Sequence, residues 1–291
     1  MIQALVQTSK KRDSKRKTAM NEIVTTSTVK SKDGTIIGYR QVGRGPGLLL
    51  VHGGLETAES HQQLADELSS HFTVYLSDRR GRGMSGSFGE GYTIKKEVED
   101  IEALLTKTAT RLLFGLSSGA IICLQAALSL PTIKKIAIYE PPLSINGSFS
   151  LDWVPAFTRE VEKGDEASAL VVATRGTQQF GHTLPGFLLK GMARLMLGDM
   201  LALVPTFQYD AQLVRETQDT WQNFKDIQAD VLLLGGSRSP AYLKTALDAL
   251  EKHLPHVKRV EFAGLNHGGS GNKNRGGRPA LVAAELSRFF L

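Results

Sequence analysis

Two short segments of this sequence carry residue types suited to nucleophilic chemistry. One is Gly115-Leu116-Ser117-Ser118-Gly119, and the other is Gly264-Leu265-Asn266-His267-Gly268-Gly269. A serine hydroxyl is a weak nucleophile until a neighbouring base takes its proton. In a chain with 29 glycines the G-x-S-x-G pentapeptide says little alone. Its surroundings add weight, because Arg111 to Phe114 reads as a buried strand and residues 118–130 as a helix apolar nearly all round. Ser117 therefore falls on a tight strand-to-helix turn, beside free N–H groups and the positive end of a helix dipole. This placement favours a nucleophile at Ser117 over a simple helix cap.

The base has seven candidates. His267 stands out because it follows the last apolar strand in a glycine-rich loop. His61, His71, His253 and His256 read as surface residues near polar helix ends, and His182 as a residue that could line a pocket. His52 opens His52-Gly53-Gly54-Leu55 directly after the strand Leu48 to Val51, and is expected to brace that loop. An oxyanion needs two aimed donors, and the backbone N–H groups of Gly54 and Ser118 are the candidates.

These residues require a scaffold that brings distant loops together. Residues 23–29 and 35–42 read as a hairpin turning at Asp33-Gly34. Short apolar runs follow at Leu48 to Val51, Thr73 to Leu76, Arg111 to Phe114, Ile133 to Tyr139, Val231 to Leu234 and Arg259 to Phe262. Helical patterns separate them: residues 94–105, 118–130, and 279–290 with Leu281, Val282, Leu286, Phe289 and Phe290 inward. Strands apolar on both sides, alternating with helices, predict an α/β fold with a mostly parallel sheet covered on both faces. Residues 144–228 contain no strand pattern, only helical pieces such as 184–197. They are too long for an unstructured loop and read as a helical cap inserted between core segments 21–143 and 229–291.

Composition narrows the classes further. Hydrophobic residues make up 41% and charged residues 22%, which excludes a disordered chain. The net charge of +6 resides mostly in residues 1–20, which hold six basic groups and one acid; the rest carries only +1. That segment reads as a disordered basic tail, and without interleaved aromatic residues it gives no expectation of nucleic acid binding. A lone cysteine, Cys123, leans towards a reducing compartment, and no apolar run is long enough to span a bilayer, so a cytoplasmic protein without membrane contact is expected. Gly81-Arg82-Gly83-Met84-Ser85-Gly86 satisfies G-x-G-x-x-G, yet Phe88-Gly89-Glu90-Gly91 continues as loop where a dinucleotide site would open a helix.

Taken together, HGG after the third strand, Asp78-Arg79-Arg80-Gly81-Arg82-Gly83-Met84-Ser85-Gly86 after the fourth, GLSSG after the fifth and NHG after the last resemble the α/β-hydrolase superfamily over residues 22–291. The resemblance implies an eight-stranded α/β-hydrolase fold and a Ser–His–acid site. The family's acid usually follows the seventh strand, where this sequence has Gly235-Gly236-Ser237-Arg238 and no carboxylate before Asp248. Glu140, at the end of the sixth strand, is similar in place to the glutamate of fungal zearalenone lactonases and one group of haloalkane dehalogenases. The reading is thus a cofactor-free, metal-free serine hydrolase of a carboxylic ester or lactone, acting through Ser117, His267 and Glu140 on a small, apolar substrate. The rivals are a ligand-binding protein with slow or absent turnover and an acyltransferase or lyase using the same site. Nothing in the patterning selects an oligomeric state.

Overall fold

The computed structural model describes residues 24–179, 182–196 and 198–291. The basic segment 1–20 lies outside them. Eight strands form one sheet in the order β1-β2-β4-β3-β5-β6-β7-β8. They are β1 (Thr25–Lys30), β2 (Ile36–Gly43), β3 (Gly47–Val51), β4 (Thr73–Ser77), β5 (Leu112–Leu116), β6 (Lys135–Tyr139), β7 (Asp230–Gly236) and β8 (Val257–Phe262). The β1–β2 and β2–β4 pairs are antiparallel, and every pair from β4 to β8 is parallel.

Why the strands read as unbroken apolar runs is plain in the packing. Successive side chains point to opposite faces, and both faces are covered. Leu49, Val51, Leu113, Ile136, Ile138, Val231 and Leu233 join one core, with α2 (Ile94–Thr108), α3 (Ser118–Ser129) and α8 (Ala241–His253). Their neighbours Leu48, Leu50, Phe114, Ala137, Tyr139, Leu232 and Leu234 join the other, under α1 (Gln62–Leu68) and α9 (Pro279–Phe290). In α9 Val282, Leu286 and Phe290 are buried, but Leu281 is exposed, against expectation. It lies in the first turn, two residues after Pro279 and one step round from the Val282–Leu286 stripe.

Between β6 and β7 the described residues form helices and no strand: α4 (Val154–Glu162), α5 (Glu166–Gly176), α6 (Gly186–Met196) and α7 (Phe207–Thr217), with shorter turns between. A separate small core joins Phe157, Ala167, Leu170, Ala173, Ala193 and Val204. Helix α7 differs, since its Leu213 and Val214 belong to the main core beside α3. Among the described residues no helix is long and apolar enough to cross a membrane.

Glycines permit the closest approaches around α3. A Cβ at Gly119 would lie 2.3 Å from the Val51 carbonyl oxygen and 2.5 Å from that of His52. One at Gly115 would meet the Gly119 carbonyl at 2.5 Å and the Cys123 sulfur at 2.7 Å. Gly119→Ala should therefore lower unfolding free energy by about 1–3 kcal/mol, the usual range for overpacking. Gly191→Ala, in α6 with open space around it, should be neutral or stabilising by up to about 1 kcal/mol. Urea unfolding of both variants checks the contrast, and equal midpoints would contradict it.

Candidate active site

The order in which strands are added reverses between β3 and β5, since β4 lies on one side of β3 and β5 on the other. Loops leaving the carboxyl ends of such neighbours diverge and open a crevice. The His52-Gly53-Gly54 loop leaves β3 there, and Ser117 leaves β5. The register brings the next elements level: Leu116 pairs with Tyr139, and Tyr139 with Leu234. Glu140 thus begins beside the end of β7, and the loop after β8 carries His267 over the same edge.

Ser117 has φ 56° and ψ −124°, a conformation that L residues rarely adopt. Its N–H donates to the Tyr139 carbonyl at 2.9 Å, and its own carbonyl accepts from Ala120 and Ile121 at the start of α3. The chain is therefore held at a sharp elbow, with the hydroxyl at the rim. Ser117, His267, Gly54 and Ser118 line one cavity of about 690 Å³. Ser117 makes no hydrogen bond to the imidazole among the described contacts; such bonds commonly tighten only with substrate bound.

Glu140 is fully buried, with φ 49°, which turns its carboxylate back beneath β7. One oxygen accepts from the Gly236 N–H at 2.6 Å, and the other lies 2.8 Å from His267 Nδ1. With Glu140 ionised, Nδ1 carries the proton and Nε2 is left free to act as a base. The ring itself is about one-sixth exposed, so it reaches the cavity while its partner does not. Tyr139 steadies the loop by donating its hydroxyl to the Asn266 carbonyl at 2.8 Å.

The loop after β3 is held from three directions. Its Gly53 N–H donates to Glu56 at 2.9 Å, while the Gly53 carbonyl lies 2.8 Å from His52 Nδ1 and accepts from Arg82 at 3.0 Å. The His52 Nε2 accepts from the Arg79 N–H at 3.1 Å, which places the ring proton on Nδ1, donating to Gly53. Burial, reinforced by Arg82 and Arg79, pushes the His52 pKa well down and keeps the ring neutral. Among the described residues, neither the Gly54 nor the Ser118 backbone N–H has a protein acceptor.

A buried charge cluster backs this loop. Arg79 donates to Glu97 at 2.8 Å, to Asp210 at 2.8 Å and to the Ser118 hydroxyl at 3.0 Å. The Ser118 hydroxyl donates to Asp210 at 2.6 Å, and Arg82 pairs with the other Asp210 oxygen. Burial would raise the Asp210 carboxyl, but Arg82, Arg79 and Ser118 together hold it at about 2. Glu56 behaves alike: against burial, His61 and the Gly53 N–H hold it at about 2.

Sequence reasoning missed this cluster. The Arg79 and Arg82 spacing within one turn was a visible cue, but Asp210 has no local signal. His61, expected at the surface, is buried because its 3-10 turn faces the sheet, where the ring packs edge-on to Phe114 and meets Glu56 at 3.2 Å. His182 is exposed, bonded to Gln179, and does not line the cavity. Asp248 lies at the surface, paired with Arg259 at 2.5 Å, and Arg238 is exposed. The Gly81–Gly86 segment closes on itself as a turn, with Gly81 N–H donating to Gly86 at 2.6 Å.

Comparison with known proteins agrees with this architecture. Residues 48–285 match the model of the Alpha/beta hydrolase family, and the chain belongs to that family. A crystal structure of an alpha/beta hydrolase from Sphaerobacter thermophilus superposes with a TM-score of 0.78 at 29% identity, covering 91% of this chain and all of that one. An uncharacterized hydrolase of Bacillus subtilis is 30% identical over 148 residues, 49% of this chain and 55% of the relative. A pimeloyl acyl-carrier-protein methyl ester esterase of Xanthomonas axonopodis pv. citri is 31% identical over 121 residues, 41% of this chain and 46% of the relative. The chain spans about half the length of the curated relatives it matches.

The depressed carboxyls set an acid limit. Asp210 falls from 3.8 and Glu56 from 4.5, each to about 2, so their stabilisation is complete above the unfolded values and is lost as pH falls through the folded ones. Above about pH 5 the lowered pKa of buried His52 and the raised one of Asp100 act in opposite senses, so the steep fall in the urea midpoint should lie between about pH 4.5 and 2. A midpoint unchanged down to about pH 2.5 would contradict this.

Proposed function

We propose that this protein is a serine hydrolase that cleaves a carboxylic ester or lactone through an acyl-enzyme. The observation that carries the reading is the 2.8 Å contact between His267 Nδ1 and the buried Glu140, with the imidazole opening onto the cavity that Ser117 lines. Ser117 Oγ attacks the substrate carbonyl as His267 Nε2 takes its proton. The Glu140 carboxylate holds the ring's tautomer and stabilises the imidazolium that forms. The N–H groups of Gly54 and Ser118 receive the negative charge that develops on oxygen. As the intermediate collapses, His267 returns the proton to the departing alcohol oxygen, which in a lactone stays tethered to the acyl chain. Water then attacks the acyl-enzyme, with His267 again taking and returning a proton. The steps balance without a metal or an organic cofactor.

Support for an uncharged, bulky substrate comes from the cavity wall. Phe149, Leu151, Trp153, Leu170, Phe207 and Val214 supply apolar surface; Arg79 and Arg82 behind the site are matched by Asp210 and Glu97, and Arg275 on the wall lies 3.8 Å from Glu56. The segment 144–228 is proposed as the cap that supplies most of this wall. The ester chemistry named for the Xanthomonas relatives points the same way.

A fluorophosphonate probe should label the wild type at Ser117 and fail on Ser117→Ala and His267→Ala. In a panel of graded aryl esters and macrocyclic lactones, Glu140→Gln should fold normally and lose up to about 10⁴-fold in kcat, as removal of the triad acid does elsewhere, while Asp248→Asn stays within about twofold. Activity of Glu140→Gln equal to the wild type would overturn the acid assignment. Tight ligand retention with neither labelling nor product would favour a binding protein instead.

A further inference from the structure

We infer that Asp210 is the positioning residue of the oxyanion hole, one carboxylate on α7 that braces both of its backbone donors. The inference rests on the ester-hydrolysis reading above and goes further, assigning a role to a residue remote in sequence from every motif of the site.

The first donor is the Gly54 N–H. It shares a trans peptide unit with the Gly53 carbonyl, and in such a unit C=O and N–H point opposite ways. Arg82 and His52, neither of which lines the cavity, both donate to that carbonyl, at 3.0 and 2.8 Å. Their pull aims the Gly54 N–H outward and polarises it as a donor. Arg82 is itself held by Asp210 and by the Thr206 hydroxyl at 3.0 Å.

The second donor is the Ser118 N–H, in the first turn of α3. The Ser118 side chain is fixed by Asp210 at 2.6 Å and Arg79 at 3.0 Å. Asp210 therefore gives one oxygen to each half of the hole, linking loops that leave β3 and β5. A third observation fits. The start of α7 packs flush on Gly54, where a Cβ would come within 2.6 Å of the Phe207 ring and 3.1 Å of the Asp210 carboxylate. All members are buried, Arg79 and Asp210 being 3% exposed and Arg82 and Ser118 2%. Water therefore offers Arg79 and Arg82 no substitute for the carboxylate, and its loss frees both halves of the hole together.

The test compares Asp210→Asn, Ser118→Ala and the double variant with the wild type. Two rates are read: steady-state hydrolysis of p-nitrophenyl butyrate and second-order labelling of Ser117 by a fluorophosphonate, whose phosphoryl oxygen uses the same donors. Loss of oxyanion stabilisation costs about 10²–10³-fold in kcat. Asp210→Asn should thus lose about 10²-fold in kcat with KM within about threefold, and labelling should slow in parallel. Ser118→Ala, which cuts one of the two links, should lose about tenfold, and the double variant should be no more than about threefold below Asp210→Asn. A folded Asp210→Asn with kcat within threefold of wild type overturns the inference, as does a loss carried by KM alone. Should Asp210→Asn fail to fold, Ser118→Ala decides: reduced kcat at constant KM supports the brace, and unchanged kcat overturns it. A wild type that labels but does not turn over this ester still reports through the labelling rates, so the brace is judged apart from the substrate. A wild type that does not label removes the parent reading and this one together.

Discussion

A fully buried carboxylate must find partners for both oxygens, and that requirement organises one side of the site. Glu140 meets it with the Gly236 N–H and the His267 ring. Both contacts exist only because β6 and β7 lie side by side in the register that sets Tyr139 against Leu234. The end of β7 is shaped to accept them. A Cβ at Gly235 would stand 3.1 Å from the Glu140 carboxylate and 2.7 Å from Leu247, and one at Gly236 would strike the Leu265 carbonyl at 2.3 Å. The glycine pair thus seats the acid beneath and lets the histidine loop cross above.

The other side of the site is built on the same principle with different parts. Gly53, Gly115 and Gly119 let β3, β5 and α3 come into backbone contact. The remaining volume is filled by charges rather than hydrocarbon. Burying Arg79, Arg82, Glu97 and Asp210 costs desolvation that ion pairing seldom fully recovers, so such a cluster is weak support for overall stability. What it gives is direction, because each guanidinium is a rigid fork with donors at fixed angles. Arg82 places one on the Gly53 carbonyl and another on Asp210, an arrangement that aliphatic packing could not reproduce.

The sheet was legible because its signal is local. A strand covered on both faces is apolar at most positions, and six short runs of that kind together with one hairpin account for all eight strands. Ser117 and His267 were equally local, each lying on a glycine-rich turn directly after a strand. Glu140 needed one more step, the knowledge of which strands are neighbours. Asp210 needed contacts over 92, 128 and 131 residues, and nothing in Tyr209-Asp210-Ala211 distinguishes it from an exposed helical acid. His61 failed for the converse reason: Glu59-Ser60-His61-Gln62-Gln63 looks like surface, yet the turn rotates the ring against Phe114 and Glu56 lies 3.2 Å from its Nε2.

The pairing of charges also bears on how a substrate is chosen. A pocket selects by polar contact only with groups that are free to reach a ligand, and a buried guanidinium already holding a carboxylate is not free. In the inner wall Asp210 occupies the place between Arg79 and Arg82 that an anionic ligand would want. An acid entering there would have to displace a covalently tethered competitor whose entropy of binding is already lost. The aromatic and aliphatic lining, by contrast, rewards any surface that fills it, at roughly 25 cal/mol per Å² removed from water. Selection by such a wall follows volume and shape more than functional groups. On the proposed ester reading two backbone N–H groups recognise the carbonyl oxygen, and Gln179, Asp199 and Arg275 on the cavity wall add polar contacts to the apolar ones.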